Sequence, residues 1–356
     1  MDTYLGIMVG TGIYKRITKG RTSFENLSFY EAACEHYNLT ACYFRFEDIN
    51  PGEDAVMAYV KNAEGKYILR KVQKPAIIHN RTFTGKRAQR RKMRKLKKEG
   101  ITFFNENNRY KKLNIYKILR KNKTLHPHLP ETVQASRGNL KRMMDKYPEL
   151  IIKPNSGTLG IGVVKLTKKD NQEWELTSRE HNSLKKQCFS TDWPPLLQKL
   201  ADKSYLIIQE RIPLAKSKGG IFDMRVTVQK NDTGNWQVSG MAGKVAQKGW
   251  YLTNVARGGS CHSLEELLND LPHLNQKQVY EDIKKLSIMI AVQLAQEIPN
   301  IADIGLDIGI THDGVPMFIE CNCRDLRIVY KHAGMKEEWK QTHFAPVGYA
   351  KFLSEA

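Results

Sequence analysis

Residues 304–323, IGLDIGITHDGVPMFIECNC, decide the fold. Two apolar runs, Ile304–Ile310 and Val315–Cys321, flank His312-Asp313-Gly314, a pattern that predicts a β-hairpin. Side chains two apart on a strand share a face, so Glu320 and Asn322 project together. The hairpin folds Asp307 back beside them. Two carboxylates and an amide oxygen converging on one face suit Mg²⁺, with phosphate and water completing its shell. Two anions side by side repel, so a metal or a basic neighbour is implied. A solvated polar hairpin face is the plainer alternative. Cys321 and Cys323 alternate with these ligands and point the other way. A Cys-x-Cys without a second pair is a poor zinc signal, so both are expected to be buried and inert.

Upstream, Leu150–Pro154 reads as a strand, Val163–Leu166 as its return, and residues 155–162 (NSGTLGIG) as the loop between them. Gly157 and Gly162 have P-loop spacing, but Val163-Val164 stand where Lys-Ser/Thr belongs, so no Walker motif is present. A strand rather than a helix follows, which removes the dinucleotide fingerprint. A glycine hairpin loop can still close over phosphates through backbone N–H groups; a plain tight hairpin is the competing reading. Lys153 stands within the apolar strand before the loop. It is either an edge residue or is held inside by an anion such as nucleotide phosphate, because a buried unpaired ammonium is costly. Tyr205–Glu210 reads as a buried strand. Between loop and hairpin the sequence supplies Asp223-Met224-Arg225, Lys244 and the loop TNVARGGS (253–260) with Asn254 and Arg257. The arginine fork suits bidentate grip on phosphate or carboxylate.

The start of the chain alternates strand, helix and strand: Tyr4–Val9 ending in Gly10-Thr11-Gly12, a helix within 24–37, a strand at Thr40–Phe46 and another around 74–80. That order suggests a small α/β domain. Helical spacing recurs at 112–124 and 138–147. It is clearest at 276–298, where Val279, Ile283, Leu286, Ile290 and Leu294 make one apolar stripe. Strands are expected at Met224–Gln229 and Trp236–Ala242. Residues 167–203 are expected to be polar connection and helix.

At 356 residues with 41% hydrophobic and 26% charged side chains, the chain is long enough for two or three modules and is not disordered throughout. No apolar run approaches the roughly 20 residues of a membrane span. The start carries Asp2 and no apolar signal core, so no secretory peptide is expected. Six cysteines in this length make no disulfide framework, and a reducing, cytoplasmic setting is expected. The net charge of +20 favours anionic partners such as nucleotides, nucleic acid or acidic peptides. Residues 85–98 (GKRAQRRKMRKLKK) concentrate it, with only Met93 and Leu96 as an apolar face. The segment is either a solvated basic helix or an arm for an anionic partner. No aromatic residues interleave with these charges, which disfavours single-stranded nucleic acid.

Taken in chain order, these words resemble an ATP-grasp enzyme: a helix with Lys117, the strand with Lys153, the loop 156–162, the hinge strand Gln209-Glu210-Arg211-Ile212, Asp223-x-Arg225, Asn254-x-x-Arg257-Gly258-Gly259, then Asp307 and Glu320-x-Asn322. The second half is similar to ribosomal-protein glutamate ligases. From about residue 3 to 350 the chain more closely resembles the YheC/YheD family, endospore coat-associated ATP-grasp proteins of Bacillus-like bacteria. The words IIHNRTF (77–83) and LNIYKILRKNKTLHPHLPET (113–132) and the 303–324 hairpin carry that match.

The resemblance implies an α/β (α+β) ATP-grasp fold behind a small N-terminal α/β domain, divided at 1–108, 109–208 and 209–356. It implies that Lys117 and Lys153 contact ATP phosphates and that the loop with Ser156, Gly157, Gly160 and Gly162 folds over them. The hinge of Gln209, Glu210 and Ile212 would meet adenine. Asp307, Glu320 and Asn322 would hold Mg²⁺, while Arg225, Arg257 and Asn254 would hold the transferred phosphoryl group or the acceptor carboxylate. One departure stands out: the acid that such enzymes often place after the hinge for ribose is missing, since residues 213–220 carry only Lys216 and Lys218 as charges. In such enzymes a carboxylate attacks the γ-phosphate to give an acylphosphate and ADP, and an amine then displaces phosphate. The implied function is an ATP- and Mg²⁺-dependent carboxylate–amine ligase, with an acidic peptide or coat protein as an expected acceptor. The alternatives are a non-catalytic ATP-binding protein of the spore coat with an anion-binding basic surface, a small-molecule kinase on the same fold, and a nucleic-acid binder.

Overall fold

A computed structural model describes residues 3–157, 160–181, 183–255 and 258–355. The first sheet comprises β1 (Tyr4–Met8), β2 (Thr40–Phe44), β3 (Ala55–Lys61), β4 (Tyr67–Gln73), β5 (Ile77–Asn80) and β6 (Thr102–Phe104), in the order β4-β3-β2-β1-β5-β6. β1 runs parallel to β2 and β5, and β5 to β6. Parallel neighbours need crossovers. These contain α1 (Thr11–Tyr14) and α2 (Leu27–His36) after β1, and α3 (Arg87–Lys98) after β5. The β3–β4 hairpin was not legible in the sequence, because β4 is mostly exposed and lacks an alternating apolar signal.

The second sheet follows α4 (Lys112–Leu119). It comprises β7 (Thr132–Gln134), β8 (Glu149–Pro154), β9 (Val164–Lys168), β10 (Trp174–Glu180), β11 (Ser183–Phe189) and β12 (Leu206–Glu210), in the order β11-β10-β9-β8-β12-β7. Helix α5 (Arg137–Lys146) precedes β8, and α6 (Pro195–Ala201) precedes β12. β8 and β9 pair antiparallel, as the two arms of the expected hairpin. Residues 167–203 differ from expectation. They hold the β10–β11 hairpin, and α6 is their only helix among the described residues. β11 is an exposed edge strand carrying Lys185 and Lys186. Edges favour lysine, so its composition imitated a polar connection.

The third sheet contains β13 (Lys216–Ser217), β14 (Gly220–Lys230), β15 (Trp236–Val245), β16 (Ser260–His262), β17 (Asp303–Ile310) and β18 (Pro316–Asn322). Its path is β16-β15-β14-β17-β18, with β13 on β14. α7 (Leu264–Leu268) and α8 (Gln276–Glu297) precede β17, and α9 (Ile328–His332) and α10 (Lys336–Glu355) follow β18. The predicted α8 stripe is buried in one core with Val226, Leu306 and Phe318. α10 returns to the first sheet, where Val347, Tyr349 and Ala350 share a core with Leu5, Ile7 and Tyr30. Among the described residues no helix is long and apolar enough to cross a membrane.

A buried ionic cluster also joins the first and third sheets. Asp303, fully buried at the head of β17, accepts from His79 at 3.1 Å, Arg81 at 3.2 Å, Gln229 at 2.8 Å and Arg327. Arg81 also holds Glu25 at 2.8 Å and the backbone carbonyl of Asp325. Burial lowers His79 to about 4, against the pull of Asp303, so its ring is neutral at pH 7. For Asp303 burial works upward, but Arg327, His79 and Arg81 outweigh it and hold the carboxyl far below its ordinary range.

Candidate active site

The register of the third sheet sets Arg225, Asp307 and Glu320 in one row across β14, β17 and β18, and Asp223 opposite Lys244 two residues along. Cross-strand neighbours of opposite charge interact directly. Arg225 Nε donates to Asp307 Oδ1 at 2.8 Å and its Nη1 to Asp325 Oδ1 at 2.8 Å. Lys244 Nζ lies 2.8 Å from Asp307 Oδ1 and 2.9 Å from Asp223 Oδ1. Asn322 Nδ2 stands 3.4 Å from Asp307 Oδ2. The basic neighbours that two adjacent carboxylates require are therefore present. Burial would raise the Asp307 carboxyl, but Arg225 and Lys244 prevail and hold it well below the usual carboxylate range.

The other half of the site comes from α4 and β8. The Asn155 carbonyl accepts from the Lys112 backbone N–H at 2.9 Å, and its Oδ1 accepts from that of Leu113 at 2.9 Å, which sets where α4 begins. From there Lys112 Nζ reaches the Gly157 carbonyl at 3.2 Å and the Glu320 carboxylate. One ammonium thus touches both the glycine loop and the row of Arg225, Asp307 and Glu320. Lys117, the lysine expected here, is five residues further on, roughly 140° around the helix. It is exposed and makes no ion pair among the described residues. The clue that was available is the Lys111-Lys112 pair at the helix start, ahead of Lys117.

Lys153 is not an edge residue: β8 lies between β9 and β12, and the side chain is buried. Its Nζ donates to Gln209 Oε1 at 2.7 Å, and Gln209 Nε2 donates to Thr132 Oγ1 at 2.8 Å. Burial lowers Lys153 to about 8; Glu320 and Asp307 pull upward and Lys112 downward. Glu210 Oε2 accepts from the Glu131 backbone N–H at 3.1 Å, and Ile212 is buried beyond the strand end.

In the glycine loop, Gly160 and Gly162 have φ of 62° and 71°, the left-handed region that glycine occupies without penalty. A Cβ on Gly160 would lie 3.0 Å from Leu252 Cδ1 and 4.0 Å from Asn254 Nδ2, so the loop carrying Asn254 rests against it. Tyr251 Oη donates to the Val163 carbonyl at 2.9 Å, and Thr253 Oγ1 donates to Asp223. Ser156 and Gly157 are exposed. Arg257 lies outside the described residues. The stretch after the hinge meets an acid from elsewhere: Asp270, beyond α7, accepts from Ser217 Oγ at 2.8 Å and the Lys218 N–H at 2.7 Å.

The donor set fits Mg²⁺, which prefers hard oxygen ligands. Among the described residues no group of three His, Cys, Asp and Glu side chains could hold a metal; a site here would take Asp307, Glu320 and the Asn322 amide oxygen. Cys321 and Cys323 pack against the main core with sulfurs 3.9 Å apart. Contact with Cys323, then burial, pushes the Cys321 thiol well above its ordinary value, which keeps that thiol protonated at neutral pH.

Residues 100–353 match the family of YheC/D-like ATP-grasp proteins. The endospore coat-associated protein YheD of Bacillus subtilis (strain 168) is 30% identical over 265 residues, covering 71% of this chain and 55% of its own length. The endospore coat-associated protein YheC of the same strain is 26% identical over 318 residues, 86% of each chain. The chain therefore spans about half the length of YheD and most of YheC. Among solved structures, the VanG D-Ala:D-Ser ligase from Enterococcus faecalis superposes with a TM-score of 0.52 over 98% of this chain and 100% of that one, at 12% identity. That likeness is one of fold.

Proposed function

The chain belongs to the YheC/D-like ATP-grasp family, and from that premise we propose that it is an ATP- and Mg²⁺-dependent, ADP-forming carboxylate–amine ligase acting on an acidic peptide or protein, with the spore coat as its setting. The observation that carries this is the position of Lys112, one ammonium shared by the Gly157 carbonyl and Glu320. It draws a candidate phosphate loop and a candidate metal row to one point.

Asp307, Glu320 and Asn322 would hold Mg²⁺, which supplies charge neutralisation at the phosphates. Lys112 and Lys153 would neutralise phosphate oxygens from the α4 and β8 side. Gln209, which holds the Lys153 ammonium, would fix that charge in place, with Glu210 and Ile212 following it along the adenine hinge. The loop of Ser156, Gly157, Gly160 and Gly162 would close over the phosphates and exclude water, backed by Asn254. Arg225, anchored by Asp307 and Asp325, would orient the transferred phosphoryl group, and Arg257 belongs to the same assignment. The acceptor carboxylate oxygen attacks the γ-phosphorus and ADP leaves with the broken bond's electrons. An amine then attacks the acyl carbon, and phosphate leaves. No side-chain nucleophile is required. The division into an N-terminal domain at 1–108 and two catalytic parts at 109–208 and 209–356 belongs to this proposal.

The test is ADP release across amino acids, acidic peptides and coat extract, with mass spectrometry of products. Glu320→Ala should lower ADP release about 100-fold and remove the Mg²⁺ dependence of ATP binding. Undiminished Mg²⁺-dependent binding in that variant would remove the metal assignment. The exposed basic face of α3 favours a second reading, a non-catalytic ATP-binding coat protein. It predicts Mg-ATP binding with no ADP from any acceptor.

A further inference from the structure

Arg324 follows the word Glu320-Cys321-Asn322 by two residues and lies against Phe83 and Phe24 of the N-terminal part of the chain. Its guanidinium carbon lies 4.1 Å from the centre of the Phe83 ring and 5.7 Å from that of Phe24. Arg109 also lies over Phe83, at 5.2 Å. Neither arginine side chain has a carboxylate partner among the described residues, and Arg324 Nε is buried with no hydrogen-bond acceptor. The acid of this region, Glu25, is already held by Arg81. A desolvated donor without an acceptor is costly, so such a group marks a place where something binds. Stacking on a ring fixes the guanidinium plane and leaves its N–H edge free for a planar, two-oxygen partner. Phe83 is 44% exposed, so the site opens to solvent.

The surroundings extend the same charge. Phe83 leads directly into α3, which is docked by Met93 and Leu96. Lys97 pairs with Glu106 and so ties α3 to the segment that carries Arg109. Arg87, Arg90, Arg91 and Arg94 are exposed and make no ion pair among the described residues. Cationic side chains thus stand both at Phe83 and along the helix that begins four residues after it. Two guanidinium groups already lie over the Phe83 ring, which disfavours base stacking there.

We propose that Arg324, with Arg109 beside it on Phe83, docks a side-chain carboxylate of an acidic polypeptide, and that the α3 arginines hold the acids flanking it. Naming that polypeptide the acceptor rests on the ligase reading; the docking site does not.

The test is fluorescence anisotropy of a labelled oligoglutamate peptide with the full chain, with and without Mg-ATP. Oligoglutamate should bind and oligoglutamine of equal length should not. Arg324→Ala should weaken binding about 10-fold or more, the loss of one charge-assisted bidentate contact, with Mg-ATP affinity unchanged. Arg324→Lys, which keeps charge without the fork, should fall between. Arg109→Ala, at an exposed position, should fold normally and weaken binding less. Equal oligoglutamate affinity in wild type, Arg324→Ala and Arg109→Ala overturns the proposal, as does a labelled oligonucleotide that binds more tightly through the same residues. Glu320→Ala should keep oligoglutamate binding. Arg324-dependent binding with no ADP release from any acceptor would therefore sink the ligase alone, and ADP release without Arg324 dependence would sink only the docking site.

Discussion

Asp303 and Asp307 lie four residues apart on β17 and face the same side of the strand, yet their surroundings differ in one respect. Each is an ionised carboxylate holding at least two cationic or donor side chains. The Asp303 side chain is wholly enclosed, with partners from β5, the residue after it, β14 and the segment before α9. Asp307 keeps 12% of its side chain exposed and looks along a row to Glu320 and Lys112. Closed on every side, such a cluster is a joint between sheets; open on one side, it can take a ligand.

Removing the central acid should separate the two most sharply. Asp303→Ala leaves Arg81 and Arg327 buried without their shared acceptor and should cost about 3–5 kcal/mol of unfolding free energy, read by urea titration. Asp307→Ala leaves Asp325 and Asp223 to hold Arg225 and Lys244, so it should cost less than about 2 kcal/mol while abolishing Mg-ATP binding. Equal destabilisation by the two variants would erase the distinction.

Acid should find the joint before the site. With a folded value of about 4 against an ordinary 6.5, His79 takes up a proton in the unfolded chain first. Stability is therefore lost as pH falls from 6.5 towards 4, by at most about 3 kcal/mol. The buried His343, also lowered, adds in the same direction. His79→Gln should reduce the slope of the urea midpoint over that window, leaving the His343 share; an unchanged slope would show that His79 is not a titrating group.

The smallest expected effect sharpens the site side of the comparison. Lys153→Ala should weaken ATP binding about 10-fold without lowering the melting temperature, since the buried ammonium is itself costly. In the wild-type protein, ATP affinity should fall as pH rises past 8, where Lys153 loses its proton. Normal nucleotide affinity in the variant would move the phosphate contact to another residue.

The hairpin and α8 were legible because their patterns are local: alternation around Asp313-Gly314, and one stripe along a helix. Lys153 was legible because a charge in an apolar strand has few explanations. Lys112 was not distinguished from Lys117, since helical phase depends on where α4 starts, and Asn155, some 42 positions away, sets that start. The Asp303 cluster was hidden for the same reason, as His79 is 224 positions away. Asp325 and Arg324 follow the end of β18, where strand alternation no longer says which way a side chain points.

Gly305 sits midway between the two acids of β17, and a Cβ there would come within 2.6 Å of Asp325 Cγ. In that gap the Asp325 carboxylate serves Arg225 and Thr227, while its carbonyl serves Arg81. Hybrids that exchange the first hundred residues between relatives would therefore alter how Arg225 is held, unless the donor brings its own arginine to the Arg81 position.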